Sequence, residues 1–327
     1  MRTNNARTIS HARENKILII LIILAAAAIG IFVFTGLNAS NFDFNFPRRM
    51  KKIAAMLLVS VCVGYSSVVF QTITENRILT PSVMGLDSLY LFIQTLIAFL
   101  FGAKKLVLMD SSLHFVLSAG LMMMASLLIF RLVFYGEGRN IYTLVLVGMI
   151  TGTFFRGISS FLELMIDPNE FSILQGKLFA SFKNVNEKLL LISFLIIAAA
   201  LICSRKDITR FDVLSLGKDT AISLGIPYTP MVLRSLLVIS VMVSVSTVLV
   251  GPVTFLGILL VSLSREIMKT YRHTYLISGA VLIGFVSLPI GQFVSERVFN
   301  GSTTLSVILN FIGGIYFIFL LLKESKR

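Results

Sequence analysis

Residues 17–37 read ILIILIILAAAAIGIFVFTGL, an unbroken run with no charge and no amide. A helix that crosses a bilayer needs about 20 mostly apolar residues, so this run is long enough to span. Similar runs follow at 53–72, 83–102, 113–134, 141–166, 189–204, 230–250, 256–268, 275–294 and 305–322. Over the 327 residues, 56% are hydrophobic and 14% charged, with a mean hydropathy of +0.90. A soluble domain carries about 25% charged residues, so this composition cannot build a water-facing surface. A soluble enzyme, a disordered chain and a one-span anchor are excluded. The expected class is an all-α polytopic membrane protein of about ten transmembrane helices.

The net charge of +13 would suggest nucleic acid as a partner of a soluble protein. In a membrane protein, the cationic bias of cytoplasmic loops is the simpler source, and no nucleic-acid partner is expected. Cys62 and Cys203 fall in or beside apolar runs, which argues against a disulfide framework. His11, His114 and His273 are far apart and lack metal-ligand spacing, so no metal site is expected. The run at 17–37 is too long for a signal peptide and reads as a retained first helix behind a basic tail, residues 1–16, suited to anionic lipid.

Ten spans place both termini on one side. With the N-terminus in the cytoplasm, the inner segments hold Arg2, Arg7, Arg13 and Lys16; Arg77, Arg131 and Arg139; Arg205, Lys206, Arg210 and Lys218; Arg265, Lys269 and Arg272; and Lys323, Lys326 and Arg327. The outer segments hold fewer cations, among them Lys104, Lys105, Lys177, Lys183, Lys188 and Arg297. The expected location is the bacterial cytoplasmic membrane with both termini inside. One cluster opposes this topology. Arg48, Arg49, Lys51 and Lys52 fall outside, where cations are disfavoured, so something should compensate for them.

Two connections exceed what a tight helix–helix turn requires, the outer 167–188 and the inner 205–229. No GxxxxGK[ST] phosphate loop occurs, so any ATP hydrolysis must belong to a partner. The inner segment contains FDVLSLGKDTAISLGIP at 211–227. Asp212 can cap a short turn that Gly217 breaks, and Asp219 can start a second short helix that Gly225 and Pro227 end. Two stubby helices bearing Val213, Leu214, Leu216, Ala221, Ile222 and Leu224 make a compact apolar knob. It either lies on lipid headgroups or docks into a cleft of a soluble partner.

Leu216-Gly217 and Leu224-Gly225, eight residues apart, resemble the coupling segment of the iron-chelate and vitamin B12 ABC importer permeases. The stretch from Gly251 to Arg265 resembles that family's G-x-I-x-F-x-G-L-x-x-P-H-x-x-R, matching at Gly251, Phe255, Gly257 and Arg265. Arg49 and Lys52 followed by Gln71 and Asn76 are similar to its R-x-P-R…Q…N, with Lys for the second Arg. Gln175-Gly176 falls in a W-x-x-G-like outer loop, and 306–323 resembles the last helix. The resemblance runs from about residue 46 to the C-terminus. Val261-Ser262 stand in place of Pro-His, and Thr304 and Ser306 in place of a Pro-x-Gly. Such departures look like those of systems that pair two different permeases; a homodimer stays open.

The resemblance implies a single permease domain at 17–327 in the large ABC-importer class. Its cargo would be a ferric siderophore, with haem or a corrinoid as the alternative within the family. It further implies a second permease subunit, a pair of ATP-binding subunits that use ATP and Mg and dock on Leu216, Gly217, Asp219, Ala221, Leu224 and Gly225, and an extracytoplasmic binding protein. No cofactor bound by this chain and no catalytic residue is implied. Arg49, Lys52 and Arg297 match or neighbour positions that pair with acids on the binding protein. Snorkelling to lipid phosphate would serve these cations as well. Gln71, Asn76 and Arg156 are pathway candidates. Arg156 lies deep in a span, where a charge costs about 2.5–3.5 kcal/mol, and either pairs with Glu163 seven residues on or lines a watery pathway. An ion-coupled secondary transporter, the rival from another class, would want acids or histidine at mid-membrane, where this chain offers little. Gly148 and Gly152 form a GxxxG that permits close helix packing.

Overall fold

The computed structural model describes residues 2–38, 42–134, 141–182 and 185–324, and within these all side chains but those of 2–11, 106–108, 132–134, 177, 320, 323 and 324. The topology cations Arg2, Arg7, Arg139, Lys177, Lys183, Lys323, Lys326 and Arg327 therefore lie outside the described residues or side chains. Among the described residues the chain is all helix and irregular connections, with no strand.

Each of the ten apolar runs forms a helix. They are α1 (Arg2–Phe34), α2 (Phe42–Ile73), α3 (Leu86–Phe101), α5 (Ser111–Phe134), α6 (Ile141–Met165), α8 (Glu187–Ser204), α11 (Tyr228–Val250), α12 (Leu256–Met268), α13 (His273–Arg297) and α14 (Leu305–Glu324). Between them lie α4 (Ala103–Leu108), α7 (Pro168–Leu178), α9 (Ile208–Leu214) and α10 (Lys218–Ser223). Among the described residues, seven helices are long and apolar enough to cross a membrane, and two shorter apolar ones, α3 and the 305–319 part of α14, accompany them.

Helix α2 is the axis. Ala55, Met56, Val59, Ser60, Cys62, Val68, Val69 and Phe70 on it are completely buried. A helix hydrophobic all round belongs inside a bundle, and α2 has neighbours on every side. It approaches α13 closely through small residues: a Cβ added at Gly284 would sit 2.7 Å from Ser60 Cβ, and one at Gly64 would sit 3.2 Å from the Val281 nitrogen. One hydrophobic cluster joins α2 to α3, α5, α6, α8 and α11, and a second joins it to α1, α12, α13 and α14. Helix α1 leans on α13, leaving Ile19, Ile20, Ile22 and Ile23 exposed in the manner of a lipid-facing helix.

Helices α12 and α3 fall short of a full crossing. At about 1.5 Å per residue, the 13 residues of α12 rise only about 20 Å against a hydrocarbon core of about 30 Å. The remaining depth is covered by irregular chain, 251–255 before α12 and 74–85 before α3. Such backbone survives at membrane depth only inside protein. Gly251 shows how tightly it is enclosed: its φ is +97°, and an added Cβ would lie 2.8 Å from Ala180 Cα. Ser181 N donates to Val250 O at 2.7 Å across the same contact. Gly251→Ala is therefore expected to cost about 1–3 kcal/mol, seen as a lowered unfolding midpoint of the purified chain.

The expected boundaries shift where local chemistry intervenes. The run at 17–37 stops as a helix at Phe34 because Gly36, at φ +73°, turns the chain. The run at 83–102 divides into a 3-10 turn, Pro81–Met84, and α3, separated by Gly85 at φ +77°. Gly148 and Gly152 are used within the chain: added Cβ atoms would lie 2.7 Å from Met84 Cα and 2.9 Å from Gly85 Cα.

The ends of the bundle are fixed by three contacts. Thr35, just past α1, meets Arg297 at the close of α13, and Tyr275 at the start of α13 reaches Asn15 in α1. Helices α1 and α13 thus run parallel. His273, the first residue of α13, meets Asp212 in the 205–229 segment. Asn15 and the 205–229 segment share one end, and residues 35, 49 and 297 share the other.

Candidate functional site

At the first end, α9 and α10 form the two stubby helices expected of 205–229. Gly217, at φ +99°, separates them, and Gly225, at φ +83°, ends the second. Phe211, Leu214 and Ala221 turn inward and are buried. Leu216 and Leu224 are each 61% exposed and Ile222 is exposed beside them, an apolar tip in a segment otherwise tied down by polar contacts. Asp219 lies exposed in the first turn of α10, as expected of a helix start.

Asp212 does not cap a helix. Helix α9 begins four residues earlier, at Ile208, which leaves Asp212 inside it. Its carboxylate instead accepts from the backbone N and ring Nδ1 of His273, both at 2.7 Å. His273 is buried, and its Nε2 lies 2.7 Å from Thr72 Oγ1 at the end of α2. The segment is thereby joined to the bundle axis through one imidazole. A second clamp holds its root: Asp207 is buried and receives Arg210 Nη1 at 3.0 Å and Arg234 Nη1 at 3.1 Å. Glu75 Oε1 accepts from Lys218 N at 3.0 Å. The Arg210–Asp207 spacing of three residues was readable locally. The Asp212–His273 and Asp207–Arg234 pairs, separated by 61 and 27 residues, have no local signature.

At the opposite end, the basic cluster finds its compensation within the chain. Arg49 Nη1 donates to the carbonyls of Phe32 (3.1 Å), Val33 (2.6 Å) and Thr35 (2.8 Å). These are orphan acceptors at the C-terminal end of α1, where the helix dipole also favours a cation. Arg297 Nη2 adds a bond to Thr35 O at 3.0 Å, with its guanidinium against Gly36. Lys52 pairs with Glu296 at 2.5 Å, Lys51 pairs with Glu187, and Arg48 lies 3.9 Å from the centre of the Phe44 ring. Arg49, Lys52 and Arg297 are thus brought together, each with partners in its own chain.

The pathway candidates separate. Gln71 is buried near the inner end of α2, and among the described residues neither amide atom has a hydrogen-bond partner. Asn76 closes the turn after α2: its N donates to Gln71 O at 3.2 Å and its Oδ1 accepts from Ile78 N at 2.9 Å. Arg156 is exposed on α6 together with Phe154 and Phe161. Among the described residues it makes no ion pair with Glu163, whose carboxylate instead accepts from Thr95 Oγ1 at 3.4 Å. Asp87, buried at the start of α3, is bonded by Thr254 Oγ1 at 3.3 Å.

The Gly251–Arg265 motif is accounted for by packing at three of its four positions. Gly257 meets Ser67 and Thr80, Phe255 packs its Cβ against Gly313 of α14, and Gly251 lies under the outer loop. Arg265 is half-buried, and its Nε has no partner. Among the described residues, no group of three or more His, Cys, Asp or Glu side chains could hold a metal.

A helical bundle with broken short spans and a two-helix knob at one end has the architecture of a membrane transport component. The model of the FecCD transport family matches residues 17–323, and the chain belongs to that family. It is a multi-pass permease subunit of an ABC import system. The petrobactin import system permease protein YclO of Bacillus subtilis (strain 168) is 51% identical over 314 residues, which cover 96% of this chain and 99% of that protein. The petrobactin import system permease protein FatC of Bacillus anthracis is 37% identical over 279 residues, covering 85% of this chain and 78% of FatC. A solved metal-chelate type ABC transporter in an inward-facing conformation shares the fold, with a TM-score of 0.80 at 23% identity over 95% of this chain and 99% of that one. The secondary-carrier reading falls with the family assignment.

Proposed function

We propose that this chain is the permease through which a ferric siderophore of the petrobactin type crosses the cytoplasmic membrane. The observation that carries this is the 51% identity to a petrobactin permease along nearly the full length of both chains. In this reading the end bearing 205–229 faces the cytoplasm together with both termini. A pair of ATPase subunits, using ATP and Mg, docks on the tip formed by Leu216, Gly217, Asp219, Leu224 and Gly225, with Ala221, expected on that surface, packed beneath it instead. The opposite end receives the binding protein around Arg49, Lys52 and Arg297. The internal bonds of these cations hold a positive platform in shape while Arg297 stays exposed to a partner.

The second permease subunit is a different chain, giving a heterodimer, and it covers the exposed side of α6 that carries Arg156. A lone guanidinium there lies beside the pathway and focuses attraction on an anionic chelate. Arg156→Gln is expected to lower uptake of anionic ferric chelates several-fold more than that of neutral ones at equal expression. Equal loss for both would make Arg156 a packing residue.

The cargo is tested by radioiron uptake in cells that lack this chain and are complemented with it. Restored uptake of ferric petrobactin, with no restoration of haem or corrinoid uptake, is the expected outcome. Failure to restore petrobactin uptake in the presence of its partner subunits would overturn the cargo.

A further inference from the structure

A cavity of about 650 Å³ opens between the inner end of α2, the ends of α12 and α13 and the 215–217 turn. That is the size of a small-molecule site, and among the described residues no side chain fills it. Its walls carry Arg77, Arg265 and Lys269 against a single acid, Glu75, one of whose oxygens is already engaged by Lys218 N. Among the described residues none of the three cations is in an ion pair. Gln71, 2% exposed, lines the cavity, and among the described residues its amide nitrogen and oxygen have no partner; Arg265 Nε is likewise buried and without one.

Unpaired buried polar atoms are costly, by about 1–3 kcal/mol each, and native folds rarely tolerate several together. A single ligand would relieve all of them. It must be an anion, to balance three cations set against one acid. It must offer acceptor oxygens to Arg265 Nε and to the Gln71 amide nitrogen. It must also bear a hydroxyl that donates to Gln71 Oε1. Guanidinium forks match phosphate geometry. We propose that this cavity binds a phosphate group carrying a hydroxyl donor, either soluble hydrogen phosphate or the headgroup of phosphatidylglycerol. Bound there, it fastens the end of α2 to α12 and to the 215–217 turn. The site is independent of the cargo and of which side of the membrane this end faces.

The test uses the full chain in phosphatidylcholine nanodiscs, with inorganic phosphate titrated at constant ionic strength against the unfolding midpoint. A saturable rise is expected. Arg265→Gln should weaken the apparent dissociation constant at least tenfold, Gln71→Leu about three- to tenfold, and Lys104→Gln at the far end not at all. Arg77→Gln, at an exposed position that leaves packing intact, should also weaken it and guards against misfolding of the buried variants. In phosphatidylglycerol discs, a lost phosphate response identifies the lipid headgroup as the natural occupant, and an unchanged response identifies soluble phosphate. No saturable response in phosphatidylcholine, or equal constants for wild type, Arg265→Gln and Arg77→Gln, would overturn the proposal.

Discussion

Leu224→Asp is expected to strip the ATPase subunits from the transporter while the permease stays folded in the membrane. Leu224 is 61% exposed and supports little packing of its own, so its replacement leaves the bundle intact. In the assembled importer it would be desolvated, and a carboxylate there would have no partner. Central interface residues of this kind are worth about 2–4 kcal/mol, or roughly thirty- to a thousandfold in association. Leu216→Asp, on the same tip, should behave alike, and the pair together should abolish co-purification of the ATPase and uptake. Normal assembly in the double variant would show that the tip rests on lipid.

The clamp at Asp207 should give the largest loss of stability, and its sign depends on which partner is removed. The Asp207 side chain is 3% exposed, while Arg210 and Arg234 are 43% and 51% exposed. Replacing both arginines by Leu leaves a buried carboxylate unpaired, a cost of about 3–5 kcal/mol. Asp207→Asn instead leaves two half-exposed guanidiniums that water can solvate, and should cost about 1 kcal/mol. Adding Asp207→Asn to the double Leu variant should then restore much of the lost stability, since the three side chains form one network. Chemical unfolding of the four proteins in neutral detergent measures this. A double Leu variant no less stable than Asp207→Asn would mean that the carboxylate is hydrated, and the knob anchored by packing alone.

The spans were legible because each is a contiguous apolar run, a property of neighbouring residues. The knob was legible for the same reason: Gly217 and Gly225 punctuate it, and a left-handed backbone at each is what a short helix–turn–helix requires. What escaped the sequence are contacts between residues distant in the chain. The cluster at 48–52 looked misplaced because its partners, the carbonyls ending α1 together with Glu187 and Glu296, come from separate helices. Asp212 looked like a cap because local rules know nothing of His273. The GxxxG at Gly148 and Gly152 was recognisable as a close-packing device, but only the fold reveals that it receives Met84 and Gly85. Arg156 was recognisable as costly in a bilayer, yet Glu163, its neighbour by spacing, turned out to bond Thr95.

In the proposed function this chain passes a ferric siderophore under the drive of a partner's ATP hydrolysis. The direct measurement is radioiron transport in proteoliposomes holding this chain, its second permease and the ATPase pair, with ferric petrobactin and its binding protein on the opposite side from ATP. Accumulation that requires both ATP and the binding protein, and that stops with the Leu216→Asp and Leu224→Asp pair, is the predicted result. Accumulation driven by a proton or sodium gradient without ATP would contradict it.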